Sequence, residues 1–139
     1  MDEAQFAELM RRVEADDPVA MFTYAEMLQR TNPAEAGKYI TLSAQLGYPP
    51  AAEKLGDMYL AADDFENAER CYKTGAKAGI IDCSVKLAVL RIDEYEHASV
   101  RELEELAEAG IVSACAALAE YYKKNGNRKQ AAYWRSLCK

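Results

Sequence analysis

The sequence predicts an all-α fold, an α-solenoid of about four helix-turn-helix repeats with a period of 31–32 residues behind a leading N-terminal helix. Three observations carry this prediction. The tripeptides Leu46-Gly47-Tyr48, Ala78-Gly79-Ile80 and Ala109-Gly110-Ile111 space their glycines by 32 and 31 residues. A second register agrees: a large residue followed by a small one, at Tyr24-Ala25, Leu55-Gly56, Leu87-Ala88 and Leu118-Ala119, recurs after 31, 32 and 31 residues. Within the units, apolar residues recur at helical intervals, as in Ala52, Leu55, Gly56, Tyr59 and in Phe65, Ala68, Tyr72, Ala76.

The elements follow in order. Residues 2–15 place Phe6, Leu9, Met10 and Val13 on one stripe and read as a helix that caps the first repeat. Helix pairs are predicted near 18–30 and 34–46, 50–61 and 65–78, 82–92 and 98–109, and 113–124 and 128–138. Breaks inside the pairs fall at Thr31-Asn32-Pro33, Ala62-Asp63-Asp64, Asp93-Glu94 and Asn125-Gly126-Asn127, residue types that favour turns and helix N-caps. Breaks between pairs fall at Gly47, Gly79 and Gly110, where glycine takes the left-handed conformation that ends a helix. Pro49 and Pro50 suit the first turn of the next helix. The organisation expected is one domain over 1–139, with the leading helix at 1–15 and repeats near 17–48, 49–80, 81–111 and 112–139. No pair buries both its faces alone, so stacking must stabilise the array.

Composition narrows the function classes. No stretch approaches the roughly 20 apolar residues of a membrane span, and the start is acidic and then amphipathic, unlike a secretory leader. A cytoplasmic location and no membrane partner are expected. With 17 basic against 23 acidic side chains and a net charge of −6, and with Arg11-Arg12 and Lys123-Lys124 scattered, nucleic acid is not an expected partner. Cys71, Cys83, Cys115 and Cys138 are spaced by 12, 32 and 23 residues, with no C-x-x-C pair, and read as buried small hydrophobes in a reducing compartment.

The segments AAEKLGDMYLAADDFENAERCYKTGAKAG and SACAALAEYYKKNGNRKQAAYWRSLCK resemble tetratricopeptide-type repeats, and more closely the Sel-one-like branch. Ala52, Leu55, Gly56, Tyr59 and Ala68 match the family's small, large and aromatic sites; Ala76 with Gly79, and Ala131 with Trp134, match its repeat endings. The third repeat departs most, with Arg91 where an aromatic is expected and Glu94-Tyr95-Glu96-His97 in place of a regular turn. The resemblance implies a right-handed superhelix whose concave face binds peptides or protein surfaces, in adaptors, co-chaperones and assembly scaffolds. It places Phe22, Glu26, Glu53, Asp57, Leu60, Val85, Val89, Ile92 and Glu120 on that face. Acidic ends around an apolar centre suit a partner with basic and apolar residues. The alternative for Val85, Val89 and Ile92 is packing against the second repeat.

No catalytic constellation emerges. His97 is the only histidine, it falls in a predicted loop, and the carboxylates beside it are consecutive rather than converging. No nucleophile motif or phosphate loop is present, so no enzymatic activity, metal or cofactor is expected. The run Arg101–Glu108 reads as a solvated helix face, with a docking strip for a basic partner as its alternative. Without a polar capping helix at the end, Trp134 is expected to turn inward against Tyr122, while Leu137 and Cys138 offer a self-association surface for a homodimer. The function expected is a non-catalytic protein-interaction adaptor or scaffold. The alternatives are a dedicated chaperone for a secreted or unstable client and a self-assembling structural component.

Overall fold

The computed structural model describes residues 1–138, and among them are nine α-helices and no strand. They are α1 (Glu3–Glu14), α2 (Pro18–Leu28), α3 (Pro33–Gln45), α4 (Pro49–Ala61), α5 (Phe65–Lys77), α6 (Ile81–Leu90), α7 (Glu96–Glu108), α8 (Val112–Lys124) and α9 (Arg128–Leu137). Every predicted helix is present, with each boundary within two residues of its expected place. Shifts of two residues occur at the ends of α2 and α6 and at the start of α7, whose first turn takes in Glu96 and His97, the residues expected in a loop.

The chain forms two compact units, Met1–Ile80 and Ile81–Lys139, divided where the second predicted repeat meets the third. In the first unit α1 packs on α2, and α2 with α3 and α4 with α5 form hairpins joined through α3 and α4. Leu9, Val13, Ala20 and Met21 form one core cluster there, flanked by Tyr24, Tyr39 and Leu42. The stripe on α1 thus caps the α2–α3 pair as its spacing predicts, although Phe6, edging toward Tyr24 with ring centroids 6.3 Å apart, stays 40% exposed. In the second unit α6 to α9 pack around Val85, Ala88, Leu103, Leu118 and Trp134.

One turn geometry recurs at six of the helix ends. At Gly47, Gly79, Gly110 and Gly126, φ lies between 76° and 93°, and the next residue's amide reaches back five residues along the chain, as from Ile80 N–H to the Gly75 carbonyl at 3.0 Å. This is the left-handed C-terminal cap, which satisfies carbonyls that the helix leaves unpaired. Asp16 and Asp63 take the same conformation without glycine, at φ 60° and 59°. The following helix is then capped in one of two ways. Inside pairs, Asn32, Asp64 and Asn127 accept amide hydrogens from Glu35, Asn67 and Gln130. Between pairs, Tyr48 and Ile111 precede their helices with no side-chain cap.

Small residues recur where helices cross. Ala25, Gly56, Ala88 and Ala119 are all buried, as are Ala36, Ala68, Ser99 and Ala131 on the second helix of each pair. The tightest approach is at Gly56, where a Cβ would lie 2.7 Å from Cε1 and 2.9 Å from Cδ1 of the fully buried Tyr72 ring. The side-chain hydroxyl of buried Ser43 ties α3 to the start of α2, donating to the Pro18 carbonyl at 2.7 Å.

One sequence expectation is corrected. Cys115 and Cys138 are not isolated small hydrophobes: they form a disulfide that joins the start of α8 to the end of α9, with Cα atoms 6.2 Å apart. Cys71 and Cys83 stand outside it.

Two predictions follow from the packing and caps. Gly56→Ala meets Tyr72, and overpacking of about 1–3 kcal/mol outweighs the gain of about 1 kcal/mol in helix propensity, so its melting temperature falls. Gly37 offers the control, because its added Cβ would meet only the flexible end of Met58 at 3.2 Å; Gly37→Ala leaves the melting temperature unchanged or raises it. A Gly56→Ala protein as stable as wild type contradicts the close approach. The second prediction concerns Asp17, whose carboxylate caps α2 through the Val19 and Ala20 amides and accepts from Arg12 Nε at 2.9 Å. The Arg12 hydrogen bond, with the amide bonds, holds its pKa below the ordinary 3.8 despite some desolvation. A lowered folded-state pKa contributes stability above the unfolded value that is lost as pH falls through the folded one. The melting advantage of wild type over Asp17→Asn therefore holds above about pH 4 and shrinks below it in a pH series of thermal melts.

Candidate protein-binding face

The first helix of each pair positions the residues in question. In the first unit these are α2 and α4. Phe22 is half-buried and meets the Tyr48 ring edge-on at 5.4 Å between centroids, which ties α2 to the entry of α4. Glu26 is exposed on α2, Glu53 half-buried on α4, and Leu60 38% exposed near the end of α4. Asp57 lies at the surface and also accepts the Tyr72 hydroxyl hydrogen at 2.6 Å. A charged acceptor makes this a strong hydrogen bond, and it holds the ring that Gly56 admits. Asp57 is therefore structural as well as acidic, a role that its place in a repeat register does not disclose.

In the second unit the equivalent helices are α6 and α8, which pack against one another. Val85 is only 5% exposed and belongs to the core with Leu103 and Leu118, and Ile92 packs against that core. Both thus pack within the core of their own unit and offer little surface to a partner. Val89 is 45% exposed, and Glu120 lies exposed on α8. On the neighbouring α7, Leu103 and Ala107 turn inward while Glu102, Glu105 and Glu108 face solvent, the solvated face that the spacing predicts.

Two phenols of α8 feel carboxylates of α7. Partial burial pushes the Tyr121 hydroxyl above its ordinary pKa, and a hydrogen bond to Glu96 and that residue's charge add to the effect. Tyr122 is pushed up by burial and by the charge of Glu104. His97 is exposed in the first turn of α7. Among the described residues, no three His, Cys, Asp or Glu side chains converge as metal ligands, and no described helix is long and apolar enough to cross a membrane.

At the far end, Trp134 is 3% exposed within the core and Tyr122 packs against the same cluster, as expected. Leu137 is 43% exposed. Cys138, half-buried and bonded to Cys115, belongs to the packing of its own unit.

The Tyr72–Asp57 bond yields a graded prediction. Tyr72→Phe removes one hydrogen bond and costs about 1 kcal/mol, whereas Asp57→Ala takes the acceptor from a buried hydroxyl and costs about 1–3 kcal/mol. Urea unfolding of both variants checks the order, and a neutral Asp57→Ala contradicts it.

No family model matches the chain and no curated protein matches it. Among solved structures, the crystal structure of MamA matches with a TM-score of 0.65 and 15% sequence identity, covering 91% of this chain and 79% of that one. The likeness is one of fold: the chain shares the helical repeat architecture of that structure.

Proposed function

We propose that the chain is a non-catalytic adaptor or scaffold of the Sel-one-like kind, which holds a basic and apolar segment of another protein against the first helices of its pairs. The observation that carries this reading is the surface left on α2 and α4 after the small-residue packing is complete. Glu26 and Asp57 present carboxylates there, and Leu60 presents apolar surface that no core cluster takes up. In the second unit Val89 and Glu120 repeat the combination of an exposed apolar side chain and a carboxylate. Apolar anchors supply affinity and the acidic rim selects the partner's charge. The same reading assigns the protein to the cytosol, where its cysteine pair would meet reducing thiols.

The test uses labelled peptide pools, one of basic-apolar and one of acidic-apolar composition. Basic-apolar peptides bind wild type. Glu26→Lys and Glu120→Lys each weaken binding about 2–5-fold, the worth of an exposed charge pair, and the difference fades at high salt. Leu60→Ala weakens binding independently of salt. Asp57 is left intact, because its substitution also disturbs Tyr72. Equal binding by the charge-reversed variants, or a preference for acidic peptides, sinks this reading.

A further inference from the structure

We propose that Cys115 and Cys138 are a reversible dithiol–disulfide couple that exchanges with small disulfides of the glutathione class and thereby fixes or frees the end of α9. The Cα separation of 6.2 Å lies inside the range a disulfide spans without backbone movement, roughly 4.4–6.8 Å. The surroundings also suit the reduced pair. Cys138 Sγ lies 3.7 Å from the Ala107 carbonyl and 3.8 Å from that of Ile111, and Cys115 Sγ lies 3.9 Å from Ala107 O. As thiols, both have an acceptor for their weak S–H donor. Both redox states therefore fit one backbone, as reversibility requires.

Access sets the order of events. Cys115 is 2% exposed, whereas Cys138 is only half-buried. In the forming direction the Cys138 thiolate attacks one sulfur of the small disulfide, makes a mixed disulfide and expels one small thiolate. The Cys115 thiolate then attacks Cys138 Sγ and expels the second. Two electrons pass from the protein sulfurs to the small disulfide, and the two thiol protons end on the two released thiols. Reduction reverses these steps through attack of a small thiolate on Cys138.

The consequence falls on α9. Its buried residues are Ala131 and Trp134 alone, so covalent closure across 23 residues removes much of the freedom α9 would gain on undocking. Trp134 is the only tryptophan in the sequence, and it reports directly on that docking.

The experiment equilibrates the full chain in glutathione buffers of graded ratio, traps free thiols by alkylation, and measures the mass of each cysteine peptide. Amide exchange over 128–137 and Trp134 fluorescence are followed in parallel. Cys115 and Cys138 are expected to gain and lose label together, and α9 exchange to be at least about tenfold slower in the oxidised state. Cys138→Ser should show the reduced-state rate at every ratio; chemically reduced wild type provides the same reference independently of any substitution. A pair that never oxidises, a bond that excess glutathione leaves intact in the native protein, or α9 exchange equal in both states would each overturn the proposal.

Discussion

Close approach of paired helices is the constraint on which the rest of the structure depends. A glycine or alanine at each crossing brings the two axes together, and the large side chain then fills the space beside the crossing. Gly56 and Tyr72 show the arrangement at its limit, since the ring occupies the volume a Cβ would need. Once the ring is so placed, its hydroxyl must find an acceptor, and Asp57, one residue beyond Gly56, supplies it at 2.6 Å. Buried polar groups without partners are costly, so the small residue, the aromatic and the carboxylate form one dependent set. The α2–α3 hairpin meets the same requirement differently, with Ser43 bonded to the Pro18 carbonyl.

The turns make this packing repeatable. Six of the helix ends are closed by a single left-handed residue, while α2 and α6 end without one. Glycine serves four of the positions and aspartate two. Asp63 falls in the predicted break at Ala62-Asp63-Asp64, but its left-handed conformation, like that of Asp16, does not show in sequence, because Asn and Asp tolerate that conformation through local hydrogen bonding while serving equally well in ordinary turns. Helix number and extent were legible in the period and in Gly47, Gly79 and Gly110. The start of α7 was less so, since Tyr95 supplies no side-chain cap and the acidic stretch around it lacks a glycine or proline.

The candidate site was legible in part. Position in the repeat located Glu26, Leu60, Val89 and Glu120 at the surface, but it could not separate them from Val85, which the α7 and α8 side chains cover. Burial depends on neighbours from other helices, and a one-dimensional register holds no information about them. Pairs within a hairpin are a different matter. Asp57 with Tyr72, Pro18 with Ser43 and Cys115 with Cys138 are separated by 15, 25 and 23 residues. Each pair lies symmetrically about the turn of its own hairpin, with midpoints next to Asp64, Thr31 and Gly126 respectively. Antiparallel helices of equal rise impose that symmetry, so the cysteine pair had a signal in its spacing once the turn at Gly126 was recognised.

The same symmetry explains why structure and surface chemistry are entangled. A residue near the turn-facing end of a first helix is brought beside its mirror position on the second, and a long side chain from the second reaches past it to the surface. Asp57 is then both an anchor for Tyr72 and one of the carboxylates a partner would meet. Glu26 and Glu120 lie exposed on their helices and vary in charge at little structural cost, whereas Asp57, bonded to Tyr72, does not. Charge at the face is therefore tunable only at positions outside the mirror contacts, and selection for a different partner on this scaffold would act there first.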